Sequence, residues 1–167
     1  NLLKLGKKDW DLFLGNEFKG AKGNLEVIKE NDEYCLKLSA DFTGGGRYID
    51  IGKSLKFLNV NAIKSVFLKV KSDNVKSFSI RIIDSSGQVF QKKGFSLIPD
   101  GKWHNVVVNI EDFNGVEHWS GAKDGKVHQP IKNFRIVLPF YSSENKKPVL
   151  YLKDIKAEVE LEGEVSE

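Results

Sequence analysis

Apolar residues in this chain recur every second position in short runs, and nowhere at a sustained helical spacing. Tyr34-Cys35-Leu36-Lys37-Leu38 and Tyr48-Ile49-Asp50-Ile51 are examples. A period of two sends alternate side chains to opposite faces of an extended strand. Each strand then hides one face only, so two sheets must stack to bury their apolar sides. Strands are predicted at 10–18, 25–30, 33–42, 47–52, 64–72, 76–84, 87–97, 103–110, 133–141 and 149–160. Asn31-Asp32, Ser85-Ser86-Gly87 and Pro99-Asp100-Gly101 supply turn chemistry between them. Glu111–Phe113 has room for one helical turn. About ten short strands at this spacing predict an all-β, antiparallel two-sheet sandwich. Its core is predicted to hold Leu36, Leu38, Ile49, Ile51, Val66, Leu68, Ile80, Ile82, Val106, Val108, Ile136, Leu138, Leu150, Leu152 and Ile155.

The 167 residues suit one domain, placed at 1–160, with the acidic 161–167 as a tail or the start of a linker. That length buries a core without disulfides or a metal. The net charge of +3 comes with scattered lysines, which argues against a nucleic-acid partner. The longest apolar runs, such as Val106-Val107-Val108, are far too short for a helix to cross a bilayer, so no membrane partner is expected. The one cysteine, Cys35, sits in a strand pattern and reads as a buried, inert thiol. With no signal segment and no Met, the chain reads as a piece of something longer.

Catalytic motifs are missing. Gly44-Gly45-Gly46 lacks the Lys-Ser/Thr and helix of a phosphate loop, and there is no Cys-x-x-Cys, His-Glu-x-x-His or Gly-x-Ser-x-Gly. His118 and His128 share a long loop with only Glu117 and Asp124 as further zinc ligands, so the imidazoles read as loop-pinning groups. Asp50 falls on the polar side of its strand and is expected to be exposed. Trp103 opens a strand after a tight turn and is assigned to the core. Trp10, Tyr48, Trp119, Phe140 and Tyr141 read as exposed.

Three segments together resemble the jelly-roll, galactose-binding-like carbohydrate-binding modules attached to bacterial glycoside hydrolases. They are Cys35–Tyr48 with its glycine loop, Asp100-Gly101-Lys102-Trp103-His104-Asn105-Val106-Val107-Val108, and the closing strands Ile131–Leu138 and Val149–Ala157. The resemblance implies a secreted, extracellular or cell-surface module, itself non-catalytic and monomeric. Its partners would be an oligo- or polysaccharide and a neighbouring catalytic domain in the same parent chain. It also implies one structural calcium ion, for which Glu17 and Asp154 are the candidates, although Lys153 stands where such modules often carry a second acid.

Sugar binding needs aromatic rings to stack on pyranose faces and polar side chains to take hydroxyls. The candidates are Trp119, Tyr141, His128, Asp124, Arg81, Arg135, Arg47 and Tyr48, with Gln88 as a further polar partner. Trp119 is either a stacking platform or the anchor of its loop. Arg81 and Arg135 are either hydroxyl- or uronate-binding groups or outer-face surface arginines. Trp119, His128 and Tyr141 are expected to border one groove, with Arg81 or Arg135 on its floor. Two other functions compete: a spacer domain without ligand, and a small polysaccharide lyase. In the lyase, Tyr141 and His128 would be base and acid, and Arg47 or Arg81 would neutralise a uronate.

Overall fold

The computed structural model describes residues 1–161. Twelve strands form two antiparallel six-stranded sheets with no α-helix among the described residues. They are β1 (Leu2–Lys4), β2 (Asp11–Phe13), β3 (Lys22–Glu30), β4 (Glu33–Asp41), β5 (Tyr48–Ser54) and β6 (Val60–Lys71). There follow β7 (Ser77–Ile83), β8 (Val89–Ser96), β9 (His104–Asn109), β10 (Glu117–Trp119), β11 (Asn133–Pro139) and β12 (Val149–Leu161). The first sheet runs β3-β4-β12-β6-β9 with β1 also on β12, and the second runs β10-β8-β7-β11-β5-β2. This is the jelly-roll sandwich that the alternation predicts. Apart from Leu161, which closes β12, the expected tail lies outside the described residues.

Local chemistry fixes the turns. Asn31 and Asp32 both take left-handed backbone angles, φ 49° and 64°, between β3 and β4. Asn and Asp tolerate that region, and two such residues make the tight hairpin turn whose twist suits antiparallel strands. In β12 the register shifts at Asp154, which has φ 51°. The bulge turns Leu150, Leu152, Ile155, Ala157 and Val159 all inward despite the break in period. β4 pairs with β12 only up to Leu152, and β1 takes the continuation, with Leu2 opposite Glu158 and Lys4 opposite Lys156.

Of the fifteen aliphatic residues predicted for the core, all are buried except Val106, which packs against it half-buried. Phe78, Phe90, Phe113 and Phe134 fill the space between the sheets. Each such side chain taken from water contributes roughly 1.5–3 kcal/mol.

The chain departs from its pattern at several aromatic and charged residues. Trp10 is buried, because the turn Gly6–Asp9 folds the N-terminal segment back and the indole N–H donates to the Gly6 carbonyl at 3.0 Å. Beside it the Lys53 ammonium is buried and donates to the carbonyls of Leu5 and Lys8, the latter at 2.7 Å. Trp103 lies outside the core, on the outer face of the first sheet. The ammonium groups of Lys153 and Lys71 sit 4.3 and 4.8 Å from its ring centroid. The expected strand 10–18 is only Asp11–Phe13, since Asn16–Gly20 forms a turn.

Candidate functional site

The second sheet turns Ile49, Ile51, Ile80, Ile82, Phe90, Phe134, Ile136 and Leu138 into the core. Its other face carries the polar partners of those positions. Glu117 of β10, Gln91 of β8, Arg81 of β7, Arg135 of β11, Gly52 of β5 and Asp11 of β2 stand directly opposite one another, one from each strand. They make a row across the whole sheet.

Hydrogen bonds run along this row. Gln91 Nε2 donates to Glu117 Oε1 at 3.1 Å, and Arg81 Nε donates to Gln91 Oε1 at 2.6 Å. Arg135 donates from Nε and Nη2 to Oδ1 of Asp50, at 3.1 and 2.6 Å, and from Nη2 to Oδ2 of Asp11 at 2.9 Å. Between the two halves stands one longer contact, 3.7 Å from Arg81 Nη1 to Oδ2 of Asp50. That oxygen is buried and has no hydrogen-bond partner.

Asp50 is therefore not the exposed acid that its strand position predicts; it is 1% exposed. The two arginines roof it over, and the alternation cannot register a roof made of side chains from neighbouring strands. Burial pushes its carboxyl pKa up, and Arg135 and then Arg81 pull it back. Gly52 makes the roof possible. A Cβ there would run into the guanidinium and stem of Arg135, which crosses β5 at this point on its way to Asp11.

Arg81 is enclosed by aromatic rings. Its Cζ lies 4.6 Å from the centroid of Tyr48 and 5.2 Å from that of Trp119. The Tyr48 hydroxyl donates to Glu17 and stands 3.4 Å from Arg81 Nη1. Tyr48 is buried, so its ring serves as floor rather than as an exposed platform. Beside these groups lies a groove of about 310 Å³ lined by Glu17, Phe18, Arg47, Tyr48, Ser79, Arg81, Gln91, Lys93, Glu117, Val137, Pro139, Phe140 and Tyr141. Phe18, Phe140 and Tyr141 keep large exposed areas at its rim, and the Arg47 guanidinium lies 4.6 Å over the Phe18 ring. The groove crosses β5, β11, β7, β8 and β10, a width of roughly 19 Å at about 4.8 Å per strand.

The structure thus brings Arg81, Tyr48, Arg47 and Tyr141 to one groove, with Trp119 at its edge beyond Arg81 and Arg135 in the neighbouring ion-pair network. His128 and Asp124 lie elsewhere. His128 precedes the start of β11, where Asn133 pairs with Ile83, whereas Tyr141 follows the far end, where Pro139 pairs with Tyr48. Six residue steps, roughly 20 Å, separate those ends, so His128 and Tyr141 border no common groove. The cause is chain direction: the loop feeds the beginning of the strand and Tyr141 leaves its end.

His128 and Asp124 hold the loop. His128 Nε2 is 2.8 Å from Asp124 Oδ2, and Gln88 Nε2 donates to Asp124 Oδ1 at 3.1 Å. Buried Asp84 accepts from the backbone N–H of Ser86, Gln88 and His128. The Lys126 N–H, the Gln88 amide and His128 hold the Asp124 carboxyl well below its ordinary pKa. His118 packs its ring on Phe90 on the inner side of β10. Three residues of the loop, Glu117–Trp119, are the edge strand β10, too short for alternation to reveal.

Glu17 and Asp154 do not meet. Glu17 sits on the groove of the second sheet with Tyr48, whereas Asp154 lies in β12 of the first sheet, 3.6 Å from Lys69. Among the described residues no group of three or more His, Cys, Asp or Glu side chains converges on a point.

No protein-family model matches the sequence, and no curated protein matches it significantly. Solved structures do match the fold. One is the family 11 carbohydrate-binding module of the cellulosomal cellulase Lic26A-Cel5E of Clostridium thermocellum, with TM-score 0.66, 15% identity, and 99% of this chain covering 98% of that one. A family 11 module of the same organism in complex with a β-1,3-1,4-mixed-linked tetrasaccharide gives TM-score 0.68, 16% identity and 96% coverage of both chains. An exo-β-agarase gives TM-score 0.59 and 13% identity, 95% of this chain covering 25% of that one. The chain therefore has the jelly-roll fold on which these carbohydrate-binding modules are built.

Proposed function

We propose that the protein is a non-catalytic carbohydrate-binding module that takes an oligosaccharide across the outer face of its second sheet. The observation that carries this reading is the groove over five strands, with guanidinium, amide and carboxylate groups on its floor and exposed rings at its rim. Such a surface offers stacking for pyranose faces and paired donors and acceptors for hydroxyls. Its width suits several sugar units rather than one.

The fold likeness to modules of a cellulase, and to a quarter of an exo-β-agarase, supports a role as an appended domain. In that role the module works outside the cell and holds an attached glycan-degrading enzyme on its polysaccharide. The lyase alternative loses its geometry, because Tyr141 and His128 stand at opposite ends of β11.

A glycan array followed by calorimetry tests the reading. Each net hydrogen bond contributes on the order of 1 kcal/mol, so micromolar to millimolar affinity for an oligosaccharide is expected. Tyr141→Ala should weaken binding without changing the melt. Absence of binding across neutral and acidic glycans would return the chain to the spacer reading.

A further inference from the structure

The hydrogen-bonded row across the second sheet has one break, and it lies at the groove. Arg81 is held by Gln91 on one side and faces the unpartnered Oδ2 of Asp50 on the other, 3.7 Å away. A buried carboxylate oxygen without a donor is unfavourable, and a guanidinium within reach of it is the natural remedy. Arg81 does not take that position, because its guanidinium lies against the rings of Tyr48 and Trp119 and is tied to Gln91 at 2.6 Å. Those are the ring surfaces that a sugar stacking in the middle of this face would use. Arginine and ligand compete for them.

We propose that Arg81 is the specificity-determining residue of this face, and that a neutral oligosaccharide stacking on Tyr48 and Trp119 moves its guanidinium onto Oδ2 of Asp50. The proposal rests on the carbohydrate-binding reading above and deepens it by naming the class of glycan. On closure, Asp50 and Asp11 face Arg135 and Arg81, two charges of each sign. Lys93 stands 3.9 Å from Glu117, and Glu17 accepts from Tyr48. With Arg47 and Lys93 set against Glu17 and Glu117 along the same groove, cations and carboxylates are then equal in number, and no net positive charge is presented to a carboxylate or sulfate. An acidic glycan would instead draw Arg81 away from Asp50 and leave Oδ2 bare. The closing ion pair offsets part of the cost of displacing the arginine, so the free site is covered and the bound site is fully paired.

Side-chain nitrogen NMR of the wild-type protein reads this directly, because the Nε–Hε signal of each arginine reports its hydrogen-bond partner. The probes are neutral fragments of β-glucan, xylan, mannan and agarose, set against oligogalacturonate and a sulfated galactan fragment. A neutral ligand should shift the Arg81 and Arg135 signals together, since both would then hold one carboxylate. Gln91→Met frees Arg81 to close without ligand and should tighten binding of the neutral probe by roughly tenfold, the worth of one charge-assisted hydrogen bond. The wild-type arm decides the matter alone if that variant does not fold. A bound neutral glycan that leaves the Arg81 signal in place, an acidic probe that binds most tightly, or a Gln91→Met variant that folds and binds no better would overturn the proposal and leave carbohydrate binding standing. A protein that binds no probe at all overturns both.

Discussion

Nε and Nη2 of Arg135 converge on a single oxygen of Asp50, Oδ1, at 3.1 and 2.6 Å. The same guanidinium reaches Asp11, so β11, β5 and β2 are tied across the face by one side chain. Arg135→Met removes the principal counter-charge of a buried carboxylate. It should destabilise the fold by about 3–5 kcal/mol, the usual cost of breaking a buried pair from one side. Urea unfolding checks this. A loss below about 1 kcal/mol would show that Asp50 is neutral in the folded protein.

Gly52 should be the most demanding small residue on that face. Gly52→Ala puts a methyl where the Arg135 side chain crosses β5. The arginine must leave Asp50 or the strand must shift, at about 1–3 kcal/mol. An Arg135→Met background removes the clash, so the two losses should be strongly non-additive in a double-mutant cycle.

Trp119 is 38% exposed and sits on an edge strand of three residues. Trp119→Ala should shift stability by no more than about 1 kcal/mol, far less than a core aromatic would. It should also lower glycan affinity by about tenfold or more. Early melting with intact binding would make the residue a loop anchor instead.

The carboxylates have opposite pH signatures. Asp84 and Asp124 are held below their ordinary value of 3.8: hydrogen bonds outweigh burial at Asp84, and the Lys126 N–H leads at Asp124. Their stabilisation is complete above that value and is lost as pH falls through the lower folded values. Asp50 is raised by burial, so its favourable contribution belongs to low pH and fades as pH rises through its folded value. Falling pH should therefore protonate Asp50 first, changing the Arg135 signal without cost to the fold, and free the loop around His128 only at still lower pH, below the ordinary carboxylate value of 3.8. Amide exchange or chemical shifts of His128 and Arg135 against pH separate the two. Asp84→Ala should mimic the acid effect at neutral pH, at about 3 kcal/mol, since it strands several buried donors.

Sheet membership and core were readable because Leu36, Leu38, Ile80 and Ile136 obey a period of two, and burial of one face follows from that alone. The arginines were readable as candidates, since Arg81 and Arg135 interrupt otherwise apolar strands. Their partners were not. The link from Arg135 to Asp11 joins residues 124 positions apart, and that to Asp50 spans 85. β5 is buried on both faces from Tyr48 to Lys53, so alternation sorts its residues by face but not by exposure. The partners of His128 and Asp124 were hidden for a related reason. Polar residues in a long loop suggest a ligand, and here Asp124 accepts from the Lys126 N–H and the Gln88 amide while His128 stands against it.

The pairing of β1 with β12 has a mechanical consequence. The two strands lie antiparallel, with Leu2 opposite Glu158. A force drawing the start and end of the described chain apart would load their ladder from that pair inward, one bond after another, as a peel rather than a shear. The second sheet, with its groove, lies off that line of tension. Such a pull would strip β1 before it deformed the face that carries the groove.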